Sequence, residues 1–291
     1  EYLQAPQINF AENLAKTLPP KLQKMFFVNS GSEAIDGAIK LAKKYTKRNE
    51  VIAFKGAYHG SSIGAISLLS NIVYKQPFLP LMPGVKQMKY NDLKSIEIIS
   101  KDTAAVIIEP VQTASGIFPA EKEFIKKLRQ KCDDCQTLLI YDEIQTGMAR
   151  TGQLFAYEHY DCIPDILVLA KAFGGGMPLG TFIASDIIMD CLEDDHPLQG
   201  HATTFGGHPV SCAAANASLK YIQENDIINQ VNTKAEYLIK PLSKLPEIKA
   251  IRGAGLLLGL DLGSKEKSQK ILKSALERGL ILNTALFNNH K

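Results

Sequence analysis

The 291-residue sequence predicts an α/β protein: a mostly parallel sheet covered by helices on both faces. Three observations carry this expectation. Short apolar runs of strand length alternate with stretches of helical periodicity. Between the first two runs, Ile35, Ala38, Ile39, Ala42 and Tyr45 recur at the spacing of one helix face. Most runs also end in polar or glycine-bearing residues, as expected where a site sits at the carboxyl ends of parallel strands.

In chain order, the strands are expected at 25–28, 51–54, 105–108, 138–141, 166–169 and 181–184. Each is a short, mostly apolar run rich in Val, Ile, Leu, Phe or Ala, with turn-forming residues nearby. Ser30-Gly31-Ser32-Glu33 precedes the helical run 34–46 and reads as a helix start. Free amides and the helix dipole attract an anion there, although a plain serine cap has the same spelling. After Gly207 the character changes. His208 and Pro209 open a helix rich in small residues, and 248–262 with 264–282 read as strand, helix, strand. The expected division is a large domain over 1–230, including the connecting helix, and the start of a smaller C-terminal α/β domain over 231–291.

Composition excludes several classes of function. Apolar residues make up 45% and charged residues 22%, ordinary for a soluble globular protein. A net charge of +3 spread along the chain argues against nucleic acid and anionic membranes as partners. The most basic stretch, 40–48, reads as a solvated helix face. No run approaches the roughly 18 apolar residues of a membrane span, and the N-terminus shows no signal peptide. Five irregularly spaced cysteines point to reduced thiols and a cytoplasmic location. The lone Cys132-x-x-Cys135 has no second pair to make a zinc site and reads as an incidental helix-end pair. No metal is expected.

Two residues carry the candidate chemistry. Asp142 ends the run 138–141, and Lys171 follows the run 166–169 and opens onto Gly174-Gly175-Gly176. Their separation of 29 residues leaves room for strand, connection, strand, which would set amine and carboxylate at the same end of neighbouring strands. A pyridoxal phosphate enzyme needs this pair: a lysine for the cofactor aldehyde and a carboxylate to keep the pyridine nitrogen protonated. A lysine buried behind such an apolar run would have a lowered pKa and act as nucleophile and base. Ile144, two residues beyond Asp142, would point the same way in an extended chain.

Asp142-Glu-Ile-Gln-Thr-Gly147 and Ala170-Lys-Ala-Phe-Gly-Gly-Gly-Met-Pro-Leu-Gly180 resemble the signature of class III aminotransferases, the family of the ornithine, acetylornithine and 4-aminobutyrate enzymes. Four further segments match in the same order: Asn29-Ser-Gly-Ser-Glu-Ala34, Tyr58-His-Gly60, Glu109-Pro-Val-Gln112 and His201-Ala-Thr-Thr-Phe-Gly-Gly207. The resemblance runs from about residue 9 to about residue 282, and both ends look short against the family. It implies a fold-type I transferase that uses pyridoxal 5′-phosphate to move an amino group from an amine or amino-acid donor to a 2-oxo acid acceptor.

By the same resemblance, Lys171 forms the Schiff base and Asp142 meets the pyridine nitrogen. Gly31 and Ser32 belong to the turn that grips the phosphate. Tyr58 stacks on the ring with His59 beside it, Ile144 presses on a ring face, Gln145 reaches the ring hydroxyl and Glu109 lies near the ring. Thr204 resembles the threonine that reaches the phosphate bound in a neighbouring subunit, which makes the expected assembly a homodimer with shared sites.

Two positions depart from the family. Ser61 stands where many relatives place an arginine, and Ala114 replaces the glutamate of a Gly-Glu-Gly-Gly run. Substrate carboxylates should therefore be recognised differently here, because a serine cannot replace a bidentate arginine. Three alternatives stand beside this reading. A decarboxylase or aminomutase would share every motif. A non-catalytic cofactor-binding protein has no need of Lys171. A nicotinamide dehydrogenase would require a GxGxxG turn after a strand, which is absent here.

Overall fold

The computed structural model describes residues 3–193 and 200–287. The strands in chain order are β1 (Lys24–Val28), β2 (Glu50–Phe54), β3 (Val85–Met88), β4 (Thr103–Ile108), β5 (Val111–Gln112), β6 (Phe118–Pro119), β7 (Leu138–Asp142), β8 (Ile166–Leu169), β9 (Gly180–Ala184), β10 (Ala250–Ala254) and β11 (Leu257–Asp261). The α-helices are α1 (Ala5–Ala15), α2 (Gly31–Thr46), α3 (Ile63–Ser67), α4 (Ile72–Lys75), α5 (Lys122–Cys135), α6 (Asp186–Met189), α7 (Pro209–Glu224), α8 (Ile227–Leu242) and α9 (Lys265–Glu277).

Seven strands form the main sheet in the order β1-β9-β8-β7-β4-β2-β3. Neighbours from β8 to β3 pair in parallel, while β9 runs antiparallel to both β8 and β1. All strands but β9 therefore end at one edge of the sheet, and β9 begins there. This is the mostly parallel, helix-covered sheet of a fold-type I transferase.

The two-residue period of each strand divides the core into two layers. Ile52, Phe54, Val106, Ile108, Leu139, Tyr141, Leu167 and Leu169 face a cluster with Phe10 and Leu14 of α1, Phe124 and Leu128 of α5, and Cys212 and Leu219 of α7. The alternate positions Val51, Ala53, Ala105, Ile107, Ile140, Ile166 and Val168 face Ala34, Ile35, Ala38, Ile39 and Leu41 of α2. Helix α2 lies so close to the sheet that a Cβ on Gly37 would come within 2.3 Å of the Phe182 ring. Four of the five periodic positions expected on this helix face are buried, whereas Tyr45 is exposed at the helix end.

The expected strands lie within a residue or two of those observed. Strand β3 was not expected, because its Val-Lys-Gln-Met sequence makes no apolar run. The C-terminal expectation needs correcting. Residues 248–262 form a hairpin rather than one strand, turning near Gly255, where φ is +52° and a Cβ would meet the 150–152 backbone at 2.5–2.8 Å. The closing strand expected by 282 does not form. Residues 280–287 carry no strand and have no ladder partner among the described residues.

The basic stretch 40–48 is less solvated than its composition implies, since Arg48 Nη1 donates to the carbonyls of Thr103, Cys135 and Gln136, each at 3.0 Å. Cys132 and Cys135 are free thiols at the end of α5, and Cys132 is buried. Among the described residues no helix is long and apolar enough to cross a membrane, and no cluster of His, Cys, Asp and Glu is placed to hold a metal ion.

Candidate active site

The strand ends of β1, β2, β4, β7 and β8 surround a cavity of about 330 Å³, the size of a small-molecule site. Helix α2 begins at one wall. Ser30 caps it by accepting a hydrogen bond from Glu33 N at 3.2 Å, and its first amides open toward the cavity as an anion site. Two glycines let this turn close up. A Cβ on Gly31 would come within 2.8 Å of Ile144 Cδ1, and one on Gly60 within 2.2 Å of Ser32 Oγ. Ser32 Oγ also accepts from Ser61 N at 3.0 Å, tying the start of α2 to the segment after β2.

Buried charge lies at the floor. His59 Nδ1 donates to Asp142 Oδ2 at 2.6 Å, and both residues are buried. Burial pulls the His59 pKa down, but the hydrogen bond and charge of Asp142, with Glu109 adding, outweigh it and the net shift is upward. The second oxygen, Asp142 Oδ1, accepts from Ile144 N at 3.0 Å. His59 Nε2 is buried without a partner. Glu109 is pushed up to about 7, chiefly by burial, which the nearby His59 charge opposes. Its oxygens accept from Tyr58 N at 3.3 Å and from Thr113 N and Oγ1 at 3.3 and 3.1 Å.

Lys171 lines the same cavity. It occupies the left-handed region at φ +53°, and its Nζ donates to Gln145 Oε1. The expectation of a buried lysine is not met, because Lys171 is exposed at the cavity mouth. The apolar run before it, β8, is buried in the sheet, but the chain emerges at the strand end.

Nine of the expected site residues line this one cavity: Gly31, Ser32, Tyr58, His59, Glu109, Asp142, Ile144, Gln145 and Lys171. The reason given for Ile144 does not hold. The chain turns after Asp142 rather than staying extended, and the Asp142–Ile144 hydrogen bond makes the turn that brings Ile144 back to the cavity. Thr204 does not line the cavity of its own chain and is exposed. Gln112 is also elsewhere, donating to Lys55 O at 3.0 Å.

Sequence reasoning missed Asn29, Thr113 and Met177-Pro178-Leu179 as lining residues, although each adjoins a motif already singled out. It also gave Glu143 no part. That fully buried carboxylate accepts from Ala156 N (2.5 Å), Tyr157 N (2.8 Å) and Thr146 Oγ1 (3.1 Å), and so holds the 143–157 segment behind Asp142 and Gln145.

An amine and a carboxylate–imidazole pair facing one cavity with an anion-binding helix start, on a mostly parallel sheet, define a pyridoxal phosphate enzyme of fold type I. The comparisons agree. Residues 2–288 match the family model described as aminotransferase class-III. The chain is 40% identical over 272 residues to the LysW-aminoadipate semialdehyde/glutamate semialdehyde transaminase of Sulfolobus acidocaldarius, covering 92% of this chain and 69% of that protein. It is 40% identical over 270 residues to the acetylornithine aminotransferase of Methanopyrus kandleri, covering 92% and 68%. Among solved structures, ornithine aminotransferase from Toxoplasma gondii superposes with a TM-score of 0.88 at 26% identity, over 98% of this chain and 69% of that one.

The chain belongs to the class III aminotransferases. It is an aminotransferase, and its cofactor is pyridoxal 5′-phosphate. The residues present fit that group. Gly31 and Gly60 let the start of α2 pack closely against Ile144 and the segment after β2 at the cavity wall, the amides of the α2 turn suit a phosphate, and the buried Asp142 carboxylate suits a protonated ring nitrogen.

Proposed function

We propose that Lys171 Nζ is the amine that holds the cofactor aldehyde and Asp142 the carboxylate that faces the pyridine nitrogen. The observation that carries this reading is that the buried, hydrogen-bonded His59–Asp142 pair and Lys171 line one cavity. When bound, pyridoxal phosphate supplies the electron sink for amino transfer. His59 orients Asp142 through the hydrogen bond at 2.6 Å. The turn at Ser30, Gly31 and Ser32 binds the phosphate, while Tyr58 and Ile144 bracket the ring. Gln145, which hydrogen-bonds Lys171, is placed to reach the ring hydroxyl, and Glu109 lies beside the ring. With the cofactor bound, Lys171 Nζ would serve as the general base that takes the proton from the donor carbon onto its own nitrogen. Positioned proton transfer of this kind is worth about 10²–10⁴ in rate.

The donor is a primary amine or amino acid and the acceptor a 2-oxo acid. Its carboxylate is not gripped at Ser61 or Ala114. Ser61 Oγ is taken up by the Tyr58 hydroxyl at 2.9 Å, and Ala114 is buried. The exposed Thr204 contributes to the phosphate site of a second copy, making the working unit a homodimer. The chain divides into a cofactor domain over 1–230 and a smaller region over 231–291. Its five free cysteines suit the cytoplasm.

The test is borohydride reduction of the full-length holoenzyme followed by peptide mass mapping. The phosphopyridoxyl group is expected on Lys171, and a label on any other lysine overturns the assignment. A donor panel with pyruvate and 2-oxoglutarate then separates transamination from decarboxylation or aminomutation, because only the first consumes the oxo acid.

A further inference from the structure

The loop 200–207 that carries Thr204 is fastened to the start of α2. Thr203 Oγ1 donates to Glu33 Oε1 at 3.1 Å and accepts from Asn29 Nδ2 at 2.8 Å. Asn29 closes the triangle. Its backbone N donates to Glu33 Oε2 at 2.6 Å, and its Nδ2 lies 3.2 and 2.9 Å from the two carboxylate oxygens. The rest of the loop is pinned from both sides. Lys40 Nζ donates to Gly200 O at 3.1 Å. The His201 ring stands edge-on to Phe26 and Phe182 at 5.1 and 5.5 Å. Gly206 lies so close to β1 that a Cβ there would meet Phe27 O at 2.4 Å. Against this fixed background Thr204 faces outward, with Phe205 66% exposed beside it.

Neither Glu33 nor Thr203 lines the cavity. Glu33 nevertheless sits in the first turn of α2, where a free carboxylate would compete with a phosphate for the same amides and the same dipole. In the structure its oxygens are occupied by Asn29 and Thr203.

We propose that Asn29, Glu33 and Thr203 form a positioning bracket joining the phosphate turn 30–32 and the outward-facing Thr204 into one rigid piece. A protomer's hold on its own phosphate and the contact it lends to its neighbour are then set together. The inference rests on the shared-site reading of Thr204 given above. It assigns Glu33 and Thr203 a role through other residues, not through contact with the cofactor.

The proposal fixes the sign of an effect that charge alone would reverse. Removing a negative charge beside a phosphate should tighten binding, whereas breaking the bracket should weaken it. In Glu33→Gln an amide Nε2 replaces one acceptor, and it cannot accept from Asn29 or Thr203. The experiment titrates cofactor-free, full-length protein calorimetrically with pyridoxal phosphate and, separately, with inorganic phosphate. Urea midpoints are measured alongside.

Thr203→Val keeps the shape and deletes the hydroxyl. It should raise Kd for both titrants roughly five- to thirtyfold, the range for a partly buried hydrogen bond lost with its partners left unpaired. Thr203→Ser should stay within about twofold of the parent, and Glu33→Gln should weaken both titrants. The double variant Thr203→Val with Thr204→Ala should lose less than the product of the two single effects, because one lesion acts partly through the other. Should Thr203→Val fail to fold, Glu33→Gln carries the same comparison.

Unchanged Kd in Thr203→Val, tighter phosphate binding in Glu33→Gln, or a fully multiplicative double variant overturns the bracket. A lowered urea midpoint with unchanged Kd likewise reduces the triangle to a structural fastening. If Thr204→Ala alone leaves Kd unchanged, it is the shared-site reading that fails, and the coupling falls with it.

Discussion

Gly60→Ala tests whether close approach of two backbones builds the phosphate cradle. Gly60 has φ +134°, and a Cβ there would stand 2.2 Å from Ser32 Oγ, 2.9 Å from Ser32 Cβ and 3.0 Å from Ser32 Cα. Rotating the serine relieves the first clash, but the approach to the Ser32 backbone cannot be relieved without moving the start of α2. Strain at such a φ costs of order 1–3 kcal/mol in a residue with a side chain. Displacing Ser32 also breaks its hydrogen bond from Ser61 N, worth about 0.5–1.5 kcal/mol. A loss of about 2–4 kcal/mol in unfolding free energy is therefore expected for cofactor-free protein in urea. Pyridoxal phosphate binding should weaken about tenfold or more as a phosphate partner shifts. Gly176→Ala is the control. Its φ is +99°, but nothing lies within 4 Å of the added Cβ, so it should show strain without a change in cofactor affinity. If Gly60→Ala keeps both the parent midpoint and the parent Kd, or only matches Gly176→Ala, the cradle argument is wrong.

Three further outcomes are expected. Asp142→Asn removes the charge that His59 faces and that the proposal sets against the ring nitrogen, and single-turnover transamination should fall by about 10²–10⁴ while the cofactor stays attached; full turnover would remove the pyridinium role. Glu143, fully buried, is pushed up to about 7, chiefly by burial against three opposing hydrogen bonds. Between about pH 4.5 and about pH 7 the folded chain therefore holds it protonated while the unfolded chain has ionised. The unfolded state then binds fewer protons, so stability should fall as pH rises from about 4.5 through about 7. The urea midpoint gap between parent and Glu143→Gln should accordingly shrink between pH 5 and pH 8, and a constant gap would count against the raised pKa. Finally, mixing Lys171→Ala with Thr204→Ala protomers should partly restore activity, because a heterodimer holds one site free of both lesions; no restoration would argue against shared sites.

The sheet was readable because its inner strands are buried on both faces and spell unbroken apolar runs. β3 escaped because Lys86 and Gln87 interrupt it at the sheet edge. The site was readable where the chemistry sits at strand ends, as with Asp142, Glu109 and Lys171. It was not readable where a contact joins distant segments. Nothing in the local sequence of Thr203 names Asn29 or Glu33, some 170 residues away. Ile144 was placed correctly for a mistaken reason, since a side-chain turn rather than strand alternation carries it to the cavity. The exposure of Lys171 was missed because an apolar run predicts burial of the strand and says little about the first residue beyond it.

The reversal of β9 bears on the order in which the molecule assembles. Because β9 runs back along β8, the segment carrying Lys171 closes as a local hairpin, Leu169 pairing with Thr181. The pairing of β1 with β9 instead joins Val28 to Gly180 across about half of the chain. Short loops close at far lower entropic cost than long ones. Lys171 is thus set in place by an early, nearby event, while the turn at Ser30 arrives late, delivered by the most distant pairing in the sheet. Along the folding route the chain would place Lys171 before it places the start of α2.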